Sequence, residues 1–264
     1  MTKSIWIKLC CATVVAAFCF VPGAFADTAT LNLTGVSGGT LGGVFTSPYI
    51  ATVDGVSNVY VICDDFADDT YVNEQWTTAV TTYTVNDLSG ISKPPVYFSD
   101  GYSVTLSSST YSLGGASLTQ TQAYTTAAIL AIEILQAKQQ GNQTAQNYLS
   151  YALWSLFDGS TPLTGKPGLQ SNTTYVQNAL SYLYAAEQSA LSGNLSAYAD
   201  ATITIYDYNG GGVTGCGGCA PPPQEFLSVR MIEPSELAAL TLDLLGVAGL
   251  IAFVARRRKP SLIA

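Results

Sequence analysis

After residue 26 the chain alternates apolar and polar positions with a period of two. Thr28-Ala29-Thr30-Leu31-Asn32-Leu33-Thr34 runs into the glycine-rich stretch 35–43, which predicts a strand followed by turns. Tyr49–Val53 and Val59–Ile62 flank Asp54-Gly55, a dipeptide suited to a two-residue hairpin turn. Trp76–Val85 is rich in Thr, Val and Tyr and predicts another strand. Pro94-Pro95 interrupts, and Tyr97–Ser117 reads as loop with short strands.

The period then changes. Thr119–Gln140 places Ala128, Ile129, Ile132 and Leu135 on one face of a helix, and Ala145–Phe157 does the same with Leu149, Leu153, Leu156 and Phe157 before Asp158-Gly159 stops it. Thr174–Leu191 carries Val176, Leu180, Leu183 and Ala186, with Gly193 placed to cap its end. Alternation returns over Ala201–Tyr206, and Phe226–Met231 offers a last strand. Strands on both sides of three helices predict one α+β domain over 27–209, a β-sandwich or barrel-like sheet with a three-helix insertion. Its terminal strands are expected to pair with each other. The segment 210–231 reads as a Gly/Pro-rich linker with room for that last strand.

Both ends of the chain carry addresses. Lys3 and Lys8, the apolar Leu9–Val21 and Ala24-Phe25-Ala26 make a secretory signal peptide over 1–26, with Asp27 as the new N-terminus. At the other end, residues 237–255 form a largely apolar stretch of 19 residues whose only charge is Asp243, long enough for a transmembrane helix. Arg256, Arg257, Arg258 and Lys259 follow and hold that end in the cytoplasm. The order Glu233-Pro234-Ser235-Glu236, apolar helix with Gly246 and Gly249, and arginine cluster resembles the PEP-CTERM sorting signal of bacteria over 232–259. That resemblance implies an exosortase as partner, cleavage near Glu233-Pro234 and release to the cell surface or the exopolysaccharide matrix. Ile232 stands where the family has its first proline.

Composition narrows the chemistry. The 264 residues include no histidine, which removes Ser-His-Asp and Cys-His catalysis and the usual zinc sites. Between residues 27 and 232, 15 acidic and four basic side chains leave a net charge of −11; nucleic-acid binding, which needs a basic footprint, is excluded. The 16 tyrosines, with Trp76 and Trp154, read as core and interface filling before they read as a sugar-stacking face.

Three cysteines remain after signal removal: Cys63, Cys216 and Cys219. An oxidising compartment makes disulfides the default, either Cys216–Cys219 closing a small loop or a bridge to Cys63. Cys63 ends a strand as Val61-Ile62-Cys63-Asp64-Asp65, and Tyr151-Ala152-Leu153-Trp154 follows on a helix. This pair is similar to the thioester domains of bacterial surface adhesins, in which a helical glutamine acylates the strand-end cysteine. The family's glutamine position is Ser150 here, and a serine has no carbonyl to offer. Asp64, Asp65, Asp68 and Asp69 form an acidic cluster of the type that takes calcium.

The sequence therefore predicts a non-enzymatic, exosortase-sorted protein, membrane-anchored and then at the cell surface or in the matrix, with a structural or adhesive role toward exopolysaccharide. No cofactor is required, calcium being the one candidate. A calcium-dependent or thioester-type adhesin and a secreted carboxylate-based glycan hydrolase are the alternatives.

Overall fold

The β-branched and aromatic runs form ten strands. In chain order they are β1 (Asp27–Val36), β2 (Thr40–Leu41), β3 (Val44–Phe45), β4 (Tyr49–Val53), β5 (Val56–Cys63), β6 (Gln75–Thr84), β7 (Tyr102–Leu106), β8 (Ser109–Leu113), β9 (Ala201–Tyr208) and β10 (Phe226–Met231). The structure, a computed structural model, describes residues 27–67, 69–88, 90–91, 102–106, 109–113, 118–164, 173–215 and 223–231. Residues 1–26, read as a signal peptide, lie outside the described residues, together with Asp68, Cys216, Cys219, Glu233, Pro234, Arg256, Arg257, Arg258 and the segment 237–255. No helix among the described residues is long and apolar enough to cross a membrane.

Six strands close into an antiparallel barrel in the order β1-β4-β5-β10-β9-β6. Closure leaves no free sheet edge at either end of the order, so backbone donors find partners without help from another chain. The β4–β5 turn has the conformation its sequence demands, with φ of 48° at Asp54 and 83° at Gly55. β2 and β3 form a small separate ladder around Gly42-Gly43, and β7 and β8 form another.

Barrel closure differs from the expected pairing of terminal strands. The first strand pairs with β4 and β6, whereas the last pairs with β9 and, through Phe226↔Cys63 and Leu227↔Ile62, with β5. The two strands that follow the helices thus wedge between β5 and β6. The last strand is a full barrel member, so the Gly/Pro-rich segment connects two neighbouring strands of one sheet. Thr214 exchanges backbone hydrogen bonds with Gln75 at 2.9 Å on the way. The reason is burial: Phe226 and Leu227 are fully enclosed, and Phe226 stacks its ring against both Tyr49 and Trp76.

The described residues also form four α-helices, α1 (Gln120–Gln139), α2 (Gln143–Asp158), the short α3 (Thr161–Thr164) and α4 (Thr173–Ser192), of which α1 packs on β10 while α2 and α4 pack on α1. Thr119 opens α1 with a capping box, its hydroxyl accepting from the Gln122 N–H while Gln122 accepts from the Thr119 N–H. Asn142 caps α2 by accepting from the Ala145 N–H at 3.1 Å. α1 is buried nearly all round from Ala123 to Ile132, not on one face. Off the expected stripe, small residues (Ala123, Thr125, Thr126, Ala127, Ala131) alternate with the fully buried Tyr124 and Leu130, and α2, α4 and β10 together cover them.

Candidate functional site

Cys63 ends β5 at the mouth of the barrel, fully buried, and α2 lies across it. Three hydrogen bonds join strand and helix. The Trp154 indole N–H donates to the Cys63 carbonyl at 3.0 Å. The Cys63 N–H donates to Ser47 Oγ at 3.2 Å, and the Ser47 N–H donates to Ser150 Oγ at 3.0 Å. Ser150 in turn donates to the Gln146 carbonyl one helical turn back, at 2.8 Å. Ser47 thus bridges the Ser150 hydroxyl on α2 and the Cys63 backbone on β5.

The thiol is held in its protonated form. Cys63 is a free cysteine, not a disulfide half, and its S–H donates to the Asp65 carbonyl at 2.8 Å. Burial pushes its pKa well above the ordinary thiol value, and the Asp64 and Asp65 carboxylates push in the same direction. A buried neutral thiol is a poor nucleophile. Ser150 presents a hydroxyl where acyl transfer to sulfur would need an amide carbonyl. Gln146 is also buried, and its Oε1 has no hydrogen-bond partner.

The acidic residues near Cys63 separate on folding. Asp64 and Asp65 are buried at 2% and 5% exposure while Asp69 is in solvent. Asp65 Oδ1 accepts from the Ala67 N–H, and Glu74 accepts from the Tyr71 N–H, both at 2.8 Å. Among the described residues no group of three or more acidic or cysteine side chains could hold a metal ion.

Trp154 and Asp65 also line a cleft of about 300 Å³. β1, the β2–β3 hairpin, the loop from Asp65 to Val72, α2 and Gln224 all contribute to its walls. Phe66 and Trp154 pack at 5.2 Å between ring centroids, and Tyr151 supports Trp154 from behind at 4.9 Å. The loop is fixed to the helix end, because Asp158 accepts from the Phe66 N–H at 2.8 Å. Phe45, Tyr71 and Val72 stand on the rim with 56%, 58% and 40% of their surface exposed, an unusual concentration of solvent-facing apolar groups.

Sequence reading found Cys63, Asp65, Ser150 and Trp154 but not Ser47, Asp158, Gln224 or the rim. Asp158 was legible only as a helix stop, and Ser47 sits in Thr46-Ser47-Pro48, which has no periodic signal. No protein-family profile matches this chain, and neither a curated protein nor a solved structure matches it significantly.

Proposed function

We propose that the protein is a secreted, exosortase-sorted component of the cell surface or exopolysaccharide matrix whose domain recognises its ligand without turning it over. The sorting half of this reading rests on Glu233, Pro234 and the Arg256-Arg257-Arg258 cluster behind the apolar segment. One observation carries the recognition half: the solvent-open aromatic cleft is lined by Asp65 and Trp154, the same two residues that hydrogen-bond a buried cysteine whose proton is engaged. With no histidine in the chain and an inert thiol, binding is the chemistry the site retains. The intact mass of the protein recovered from outside the cell tests the sorting half. A chain running from Asp27 to about Ile232 is the expected result; a chain retaining its tail through Ala264 would overturn it.

A thioester-type adhesin is the second reading, favoured by the Trp154–Cys63 hydrogen bond and by the proximity of Ser150 to the cysteine. The same spectrum separates the two, since a thioester formed with any glutamine side chain would register the loss of one ammonia.

A further inference from the structure

We infer that the cleft is a receptor for an N-alkylated ammonium group. The inference deepens the recognition reading above and rests on it, naming the ligand by its chemistry.

The first argument is the balance of hydrogen-bonding groups. The Tyr49 hydroxyl donates to the Phe45 carbonyl at 2.8 Å, the Trp154 indole to the Cys63 carbonyl at 3.0 Å and the Gln224 side-chain amide to the Asp65 carbonyl at 3.0 Å. These three lining donors are thus turned back into the protein, which leaves the Thr70 and Tyr71 hydroxyls, each able to accept as well as donate. What the lining offers instead is negative: Asp65 and Asp69 are its only charged residues, and no Lys or Arg stands among the described lining residues. A hydroxyl-rich sugar needs convergent donors as well as acceptors, and an anion would be repelled. A cation that brings alkyl surface in place of acceptors fits both halves.

The second argument is the wall. Phe45, Phe66 and Tyr71 supply accessible aromatic surface around the same space, with Trp154 buried behind Phe66. Ring faces attract a cation through their quadrupoles, and alkylated ammonium groups gain most because they lose little hydration on entering. The third is size. A volume of about 300 Å³ is at the small end for a ligand site, enough for a headgroup or a single side chain.

The rim is built in its open state. Gly42 and Gly43 turn the β2–β3 hairpin with φ of 62° and 82° and set Phe45 outward. Asn73, at φ 75°, reverses the chain after Tyr71 and Val72, and the Glu74 carboxylate ties that turn by accepting from the Tyr71 N–H. A site that is formed beforehand does not spend binding energy on ordering itself.

The test titrates the protein recovered from outside the cell by calorimetry and tryptophan fluorescence. The probes are choline, its neutral carbon analogue 3,3-dimethylbutan-1-ol, a short neutral peptide bearing trimethyl-lysine, and a neutral oligosaccharide. We expect the two ammonium probes to bind and the carbon analogue to bind at least about tenfold more weakly, since only the charge differs. The stronger of the two ammonium probes tells whether the natural source is a small headgroup or a protein side chain. Tyr71→Ala and Asp69→Asn, both at exposed positions, each weaken ammonium binding by about three- to tenfold while leaving the melting temperature unchanged. Equal binding of choline and its carbon analogue overturns the inference. So does Tyr71-dependent binding of the oligosaccharide with none of ammonium, though recognition by the cleft then stands. If no probe binds and Tyr71→Ala alters nothing, the recognition reading falls as well.

Discussion

Replacing Ser150 by alanine tests whether the strand–helix junction is held together as described. Both Ser47 and Ser150 are fully buried, and the Ser47 N–H has Ser150 Oγ as its acceptor at 3.0 Å. Alanine removes the acceptor and admits no water, so a buried backbone donor is left unmade, which costs about 1–3 kcal/mol. The atom deleted is small, so the cavity contributes little beside that. For a domain of this size each kcal/mol lowers Tm by about 2–4 °C, and a mid-range effect is a drop of about 4–8 °C. Chemical denaturation with unchanged slope would report the same loss at a lower midpoint. The control is Ser189→Ala on α4, whose hydroxyl donates to the Ala185 carbonyl at 3.1 Å in an exposed setting. That change should remain within about 0.5 kcal/mol of wild type. If Ser150→Ala proves as mild as Ser189→Ala, the hydrogen-bond chain through Ser47 does not hold the cysteine strand to α2.

Three further outcomes can be checked. Cys63 should resist alkylation by iodoacetamide at pH 8 in the folded protein and react fully in denaturant, followed by peptide mass; rapid native labelling would contradict its burial and raised pKa. Burial holds the Glu133 carboxyl above its ordinary value of 4.5, with the Tyr198 hydroxyl offsetting only part. The folded state therefore keeps the proton more tightly than the unfolded chain. The stability this contributes is complete below pH 4.5 and is lost as pH rises through the elevated value. Glu133→Gln should flatten that decline in melts recorded from pH 4 to 7, and a parallel pair of curves would refute the assignment. A Cβ at Gly38 would lie 1.8 Å from the Thr46 carbonyl oxygen, so Gly38→Ala should cost about 3 kcal/mol or more, or abolish folding. A soluble variant with wild-type Tm would mean that the 36–39 segment does not pack there.

Much of the secondary structure was legible because each element declares its own period. β4 occupies Tyr49–Val53 as the alternation predicts, and the three long helices begin and end within a residue or two of the expected limits, whereas the short α3 was not expected. Caps helped, since Thr119 with Gln122 and Asn142 with Ala145 are local signals. Pairing was not legible. Nothing in Phe226–Met231 says that β10 inserts beside Cys63, because that choice is made by the shape of the completed barrel around Phe226 and Trp76. The site shows the same division. Cys63 and Trp154 stand out as residue types at element ends, but Ser47 acquires its role only when α2 is docked. Within the acidic run the sequence does not say which carboxylates the fold uses: Asp65 accepts from the Ala67 N–H inside the fold, whereas Asp69 is exposed.

The seam between β5 and β10 also has a kinetic side. Cys63 pairs with Phe226, and Thr78 with Tyr208, across well over a hundred intervening residues that include all of the helices. Contacts of such long separation form late and slowly. A chain threaded N-terminus first through a membrane pore can assemble the β4–β5 hairpin as it emerges. It cannot close the barrel until Phe226–Met231 is through. Until then β5 and β6 each expose an unfilled backbone edge, the kind of surface that neighbouring chains pair with. If the chain is exported as proposed, the last strand makes closure of the barrel wait on the arrival of Phe226–Met231.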